Sequence, residues 1–260
     1  SLTMGRGWLL TLATAAEKPS DQTTQAVDPE PAATVLAEDV DRSPVDFALA
    51  PDESWMVVAN QTSNTLSLVD LTTGQLLHEV PCGQRPTDIE LATDGQHLFA
   101  TASYSGELIQ FAIEGNKLHE VDRLSLGFEP WGVALTPDGT TAYVALAADD
   151  SVGEVDLAQM ELRRNISVGK WPRFLALSAD AQRLAVGVSG DGGVSVIDTK
   201  QGEQVFQENF VGMNLGRMWP SKDGQHVYFP WIAYLNNPIT EHNIRRGWVL
   251  ASRIARVNVK

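Results

Sequence analysis

The sequence contains almost no cysteine: Cys82 is the only one among 260 residues. A single thiol excludes an internal disulfide, a Cys-x-x-Cys redox pair, a zinc site built from several cysteines and the two-cysteine attachment of a c-type haem. The sequence also lacks a Gly-x-Ser-x-Gly elbow, a His-Glu-x-x-His pair and a phosphate-binding loop. We therefore predict no cofactor, and a catalytic role is not favoured.

Basic residues and long apolar runs are scarce as well. The chain has 19 Lys and Arg against 33 Asp and Glu, which gives a formal net charge of −14 at pH 7. Such a surface repels phosphate backbones and anionic lipids, so we predict no nucleic-acid partner. No apolar stretch reaches the roughly 20 residues that span a bilayer, and we predict no membrane span. The hydrophobic fraction of 43% fits a folded protein.

The first 33 residues differ in composition from the rest. Met4–Ala16 places one arginine before a short apolar stretch that ends in small residues. This layout predicts a secretory signal within residues 1–16, and hence a periplasmic or extracellular location. An N-terminal tail or cloning remnant is the alternative. Glu17–Ala33 is rich in Pro, Thr, Gln and acidic residues and is interpreted as a flexible linker, so the folded domain is predicted over residues 34–260.

Internal repetition dominates that domain. Four segments share a leading proline, an apolar centre and a final aspartate, and a fifth keeps the aspartate: Pro44–Asp52, Pro86–Asp94, Pro130–Asp138, Pro172–Asp180 and Leu215–Asp223. The aspartates recur at steps of 42, 44, 42 and 43 residues. Five recurrences at one period indicate a repeat protein with units near residues 44–83, 84–127, 128–169, 170–209 and 210–260.

Each unit predicts four short antiparallel strands that are joined by tight turns. One such sheet leaves two apolar faces open to water, and stacking about 40 residues per unit around an axis covers them. The predicted fold is therefore all-β, a β-propeller of four-stranded antiparallel blades. The fifth unit lacks a fourth strand. The run Ala33–Asp41 could supply that strand and close a five-bladed propeller, but a larger, seven-bladed propeller is favoured.

The second strands, such as Val57–Asn60 and Tyr143–Leu146, follow a Pro-x-x-hydrophobic pattern that ends in Asp-Gly. Together they resemble the YVTN-type β-propeller repeat family over residues 34–260. The resemblance implies a secreted or cell-surface protein with seven blades, and its relatives include lactonase-like enzymes and propeller domains of haem enzymes. Phe229–Arg253 also resembles segments of propellers joined to cytochrome c peroxidase-like domains. That likeness implies a haem redox domain beyond Lys260.

Candidate binding residues follow from blade topology. In propellers, the loops from fourth to first strand and from second to third strand gather at one face around the axis. The aromatic, cationic and amide side chains expected at this face are Arg85, Trp131, Trp171, Arg173, Asn214, Arg217 and Trp231. Pairs of cation and indole can hold carboxylates, sugars or aromatic groups. The alternative is that these tryptophans only pack between blades.

An insertion at Ile232–Val249 departs most from the repeat. Thr240 followed by Glu241 predicts a short capped helix, which would carry His242, Arg245 and Arg246. Such a segment could act as a lid, a ligand clamp or a docking surface, or it could simply plug an open edge.

Two functions remain in view. The first is an exported, non-catalytic binding or scaffold propeller that presents a face to a protein partner, an attached haem domain or a small molecule. The second is a lactonase-like hydrolase acting at the propeller mouth through oxyanion stabilisation. Asp46 and Asp88 occupy matching positions near the channel, but other residue types at the matching positions disfavour a cation site. We predict no metal.

Overall fold

The computed structural model describes residues 41–210, 212–213, 215–235, 237–246 and 249–259. The predicted signal and linker segments, and all of the possible extra strand Ala33–Asp41 except Asp41, lie outside these residues. The described part of the chain forms five antiparallel sheets that follow one another along the sequence. Four sheets are complete blades and the fifth is partial, so the predicted β-propeller is confirmed.

Each complete blade has four strands in sequence order, from the first, innermost strand to the fourth, outermost one. The first blade contains β1 (Pro44–Leu49), β2 (Trp55–Asn60), β3 (Thr65–Asp70) and β4 (Leu76–Pro81). The second contains β5 (Pro86–Leu91), β6 (His97–Ala102), β7 (Glu107–Glu114) and β8 (Lys117–Ser125). The third contains β9 (Pro130–Leu135), β10 (Thr141–Leu146), β11 (Ser151–Asp156) and β12 (Glu161–Ser167). The fourth contains β13 (Pro172–Leu177), β14 (Arg183–Val188), β15 (Gly193–Asp198) and β16 (Glu203–Asn209).

The fifth blade has its first strand in two pieces and ends with its third strand. It contains β17 (Gly212–Met213), β18 (Trp219–Pro220), β19 (His226–Tyr234) and β20 (Leu250–Asn258). Both short pieces pair with β19, which pairs on its other side with β20. The predicted capped helix is confirmed as α1 (Glu241–Arg245), because the Thr240 side chain accepts the N–H of Asn243 at 3.2 Å.

The recurring aspartate explains why each unit turns at the same place. In all five units its Oδ1 accepts the N–H two residues later, at distances from 2.8 to 3.2 Å. This contact builds the turn between the first and second strands. At Asp138 the hydrogen bonds from Thr136 and Thr140 lower the pKa of the carboxyl, so the acceptor stays ionised.

Each blade buries its faces against its neighbours. Four apolar clusters lie between successive blades, and each combines apolar side chains of two neighbouring sheets. Ile89, Val133 and Leu175 occupy the third position from the end of their first strands and are 0%, 3% and 8% exposed. This stacking is the arrangement that the repeat pattern predicts.

The outer faces of the first and last described blades have no such cover. Phe47 matches the three buried residues above, yet it is 57% exposed, and beside it Met56 and Val58 are only half-buried. On the fifth blade, Tyr228 and Ile254 are exposed. No apolar cluster joins these two blades within the residues that the structure describes.

Candidate functional site

One end of the propeller carries the loops from fourth to first strand and from second to third strand. We call this end the mouth face. Hydrogen bonds tie the two kinds of loop together: the N–H of Arg85 donates to Asn64 Oδ1 at 2.7 Å, and the N–H of Trp171 donates to Asp150 Oδ1 at 3.0 Å. Each bond joins two successive blades. Hydrogen bonds between blades therefore hold the loops of the mouth face in place, and the side chains on these loops have fixed starting positions.

The residue before the leading proline has the same unusual backbone in four blades. Ser43, Arg85, Glu129 and Trp171 have φ values of 46°, 58°, 59° and 55°. This left-handed region is strained for residues with a side chain. The main chain is held there by its neighbours, as when Trp171 O accepts the N–H of Ser189 at 2.9 Å.

Trp131, Trp171 and Arg173 form the Arg173 cluster. The guanidinium carbon of Arg173 lies 4.2 Å from the centre of the Trp131 ring and 4.8 Å from that of Trp171. Trp131 and Arg173 are both the second residue of a first strand, in neighbouring blades, at the point where the register shifts by a β-bulge. The predicted cation–indole combination is thus assembled across a blade boundary.

The Arg173 cluster contains hydrogen-bond donors that have no acceptor among the described residues. Nε of Arg173 is enclosed and has no hydrogen-bond partner, and the side chain donates no hydrogen bond to any residue within the described ranges. Burial lowers the pKa of Arg173, the nearby charge of Arg85 adds to this effect, and Glu129 opposes it. An arginine stays charged in proteins, so the cluster holds a partly desolvated cation with free donors.

Arg85, Tyr104 and Phe128 form a second group, the Arg85 cluster. Arg85 Nη1 donates to the Tyr104 hydroxyl, and its guanidinium carbon lies 4.6 Å from the Tyr104 ring centre. The Tyr104 and Phe128 rings stack with centroids 6.2 Å apart, and both side chains are exposed. Sequence reasoning found Arg85 but missed the two aromatics, which stand in turns and follow no strand period.

The channel at the centre of the propeller holds a different group. Arg217 Nη1 contacts Asp46 Oδ1 and lies 3.5 Å from Asp88 Oδ1, while Nη2 lies 3.4 Å from Glu90 Oε2. We call these four residues the channel cluster. They adjoin a cavity of about 450 Å³ that is bounded by the first strands of all five blades. Arg217 thus lies among acids in the channel rather than with the other cations of the mouth face.

Asp46 and Asp88 also have a structural role. Asp46 Oδ2 accepts the N–H of Ile89 at 2.9 Å, and Asp88 Oδ2 accepts the N–H of Val133 at 2.8 Å. Each carboxylate therefore clamps the first strand of the next blade. In the third blade the matching residue is Gly132, and the main chain of Arg173 comes close to it instead.

The channel carboxyls titrate unusually. Burial raises the pKa of Glu90 to about 7, against the attraction of Arg217. Burial and then Asp46 raise the pKa of Asp88 well above its ordinary value. Despite burial, the surrounding carboxylates hold the pKa of Arg217 above its usual value. The folded channel therefore binds protons near neutrality that the unfolded chain releases.

Glu90→Gln should stabilise the protein above pH 7. Because folding raises the pKa of Glu90 from 4.5 to about 7, this carboxyl lowers the free energy of unfolding progressively as the pH rises through that interval. The side chain keeps 39% exposure, so after allowance for solvent screening the gain at pH 8 should be about 1 kcal/mol. Urea unfolding at pH 8 and pH 4.5 measures it, with the exposed Glu203→Gln as control. An equal gain at both pH values would contradict the burial of this carboxyl.

The remaining predicted site residues lie elsewhere. Trp231 packs against Phe210, with ring centroids 5.5 Å apart, in the cluster between the fourth and fifth blades. His242, Arg245 and Arg246 lie on or just after α1, where Arg245 pairs with Glu241 at 2.7 Å on an exposed surface. Asn214 lies outside the described residues.

Reactive groups are dispersed. Burial raises the pKa of the Cys82 thiol to about 12, so this side chain stays protonated. His78 Nδ1 accepts the N–H of Leu118 at 3.1 Å, and His97 Nδ1 lies 2.6 Å from Asp94 Oδ2 in an exposed turn. Within the described residues, no three His, Cys, Asp or Glu side chains come together to hold a metal ion, and no helix is long and apolar enough to cross a bilayer.

The fold is a β-propeller, and its mouth face carries the Arg173 cluster and the Arg85 cluster. A family model described as "YNCE-like beta-propeller" matches residues 17–211. The chain therefore belongs to the YNCE-like β-propellers, which is a sharper assignment than a YVTN-type repeat. A comparison with curated protein sequences gives no match. The expected link of residues 229–253 to cytochrome c peroxidase-like proteins is not confirmed.

Solved structures support the same fold. Hydrazine synthase of Kuenenia stuttgartiensis is 24% identical with a TM-score of 0.76, covering 88% of this chain and 67% of its own. A functionally unknown protein of Desulfotomaculum acetoxidans DSM 771 is 14% identical with a TM-score of 0.63, covering 84% and 70%. The Cps50 (Swd1) β-propeller domain of Myceliophteria thermophila is 14% identical with a TM-score of 0.60, covering 73% and 65%.

Proposed function

We propose that this chain is a non-catalytic binding propeller whose mouth face docks a protein partner. The observation that carries the proposal is the pair of arginine–aromatic clusters on that face, with Tyr104, Phe128 and Trp171 all exposed. Tryptophan, tyrosine and arginine are the residues most enriched at the energetic centres of protein interfaces. Hydrogen bonds between blades fix the main chain of Arg85 and Trp171, which lowers the entropy cost of binding.

A photo-crosslinking residue in place of Phe128 tests this proposal. In extracts of the source organism it should give one saturable adduct, while the same residue in place of the exposed Val205 on the outer strand β16 should not. Mass spectrometry identifies the partner, and calorimetry with the purified partner measures its affinity.

Trp171→Ala should weaken that affinity about 30-fold, the loss of a typical interface centre. Phe206→Ala, an exposed aromatic on β16, is the matched control and should leave the affinity unchanged. Equal labelling from both crosslinking positions would defeat the proposal. Turnover of sugar lactones that is lost in Arg173→Ala would instead support the lactonase-like hydrolase.

We also propose that further blades cover the open outer faces, as in a seven-bladed propeller. Phe47 is exposed where its counterparts are buried, and each of the three solved structures has about a third of its chain without a counterpart here. Export is a companion proposal that rests on the arginine and apolar stretch of Met4–Ala16. An attached haem domain rests on the resemblance of residues 229–253 alone.

A further inference from the structure

We propose that the Arg173 cluster is a carboxylate receptor, and that the docked partner presents a carboxylate group to it. The inference rests on the proposed function and names the chemistry of its central contact. It starts from a cation that the protein builds into the mouth face without giving it a hydrogen-bonding counter-ion among the described residues.

The geometry of Arg173 sets the direction of approach. Two indoles lie against the guanidinium, at 4.2 and 4.8 Å, and stacking of this kind uses the faces of the planar group. The edge formed by Nη1 and Nη2 carries parallel N–H donors that match the two oxygens of a carboxylate, and it is the edge that does not involve the enclosed Nε. A lysine has the same charge but no such edge. The cluster therefore selects a planar anion that arrives in the guanidinium plane.

Desolvation makes this contact worth more than a surface ion pair. Burial already lowers the pKa of Arg173, and the enclosed Nε has no partner, so the charge sits in a poorly solvated place. Hydrogen bonds to charged groups in such surroundings are stronger than those in water. Two other arginines, by contrast, are already paired with acids: Arg164 donates to Glu154 at 2.7 Å, and Arg123 donates to Glu120 at 2.6 Å.

The surrounding charge favours a single negative charge. Arg85 and Glu129 both act electrostatically on Arg173, with opposite signs. The whole chain carries a net charge of −14, which repels a doubly charged anion more strongly than a monoanion. A carboxylate next to an apolar group fits this setting better than a phosphate, because the indoles offer the apolar group a surface to pack on.

Titrations followed by the indole N–H signals of Trp131 and Trp171 test the inference on the purified chain. The probes are N-acetylphenylalanine, its uncharged amide, N-acetylglutamate α-amide, succinate and inorganic phosphate. We expect the carboxylates to shift both indole signals saturably, the amide to bind at least tenfold more weakly, and phosphate to bind no better than succinate. Preference among the carboxylates separates a chain terminus, an acidic side chain and a free dicarboxylic acid.

Arg173→Lys keeps the charge and should weaken carboxylate binding about tenfold, while the matched Arg163→Lys on the outer strand β12 should not change it. Equal binding of the acid and its amide, tighter binding of phosphate, or unchanged binding in Arg173→Lys would each overturn the inference. The ligand preferences are measured on the wild-type chain alone, so they test the inference even if a variant does not fold. If these probes fail while crosslinking at Phe128 succeeds, the proposed function stands without the carboxylate. The reverse result leaves a receptor for small acids.

Discussion

Arg217→Met should lower the free energy of unfolding by about 2–3 kcal/mol at pH 8 and by much less at pH 5. The change leaves Asp46, Asp88 and Glu90 facing one another without their cation. The loss is smaller than for a fully buried ion pair because the Arg217 side chain keeps about a third of its exposure. Urea unfolding followed by circular dichroism measures it.

The pH dependence identifies the cause. The folded-state pKa of Glu90 is already about 7 and that of Asp88 is raised, so without Arg217 both carboxyls should take up protons more readily. At low pH the protonated carboxyls no longer repel one another. The free energy of unfolding should therefore fall more steeply with rising pH in the variant than in the wild type.

Two further variants make the result specific. Arg183→Met removes an arginine that pairs with Asp198 at 2.5 Å at the end of a blade, and it should cost less than about 1 kcal/mol at either pH. Arg217→Met combined with Glu90→Gln should recover part of the loss. A loss of the same size at pH 5 and pH 8 would show that the carboxylates are not its cause.

Gly132→Ala should destabilise the protein by about 3 kcal/mol. A Cβ at this position would collide with the carbonyl oxygen of Arg173 and lie 3.3 Å from its carbonyl carbon, both main-chain atoms of the next blade. Main chain cannot swing away as a side-chain end can, so the third and fourth blades must separate.

The change at Gly132 should also reach the mouth face. Arg173 and Trp131 flank the contact, so the cation–indole distance should increase and the Trp131 indole N–H signal should move. Gly153→Ala is the control, because the Cβ there meets only the ends of Leu162 and Leu146 at 3.0 and 3.3 Å. Unchanged stability in Gly132→Ala would mean that the blades are not in the close contact described.

Local repetition is what made the fold predictable. Each unit encodes its own turn through an aspartate such as Asp138, and each apolar run has the period and length of a strand. The same logic named Trp131, Trp171 and Arg173 as candidates for one face, since Trp131 and Arg173 hold the same place in adjacent units, but it did not predict that Trp131 contacts Arg173. Such neighbours in the repeat are neighbours in space.

Contacts across the channel were not predictable in this way. Arg217 and Asp46 lie 171 positions apart, and their meeting depends on how far the propeller turns between the first and fifth blades. The repeat period does not specify the rotation from one blade to the next. Sequence reasoning placed Arg217 at the mouth face and considered Asp46 and Asp88 as a pair, but it did not bring Arg217 or Glu90 to them. Tyr104 and Phe128 were missed because turn residues follow no periodic pattern.

The uncovered sheets at Phe47 and Ile254 have a consequence for association. They are two unlike surfaces, so contact between the first blade of one copy and the fifth of another is head-to-tail rather than two-fold symmetric. Such a contact does not saturate in a pair: it closes into a ring if the rotation between copies returns to the first copy, and otherwise it extends into a filament. A segment that covers either sheet would stop both kinds of association.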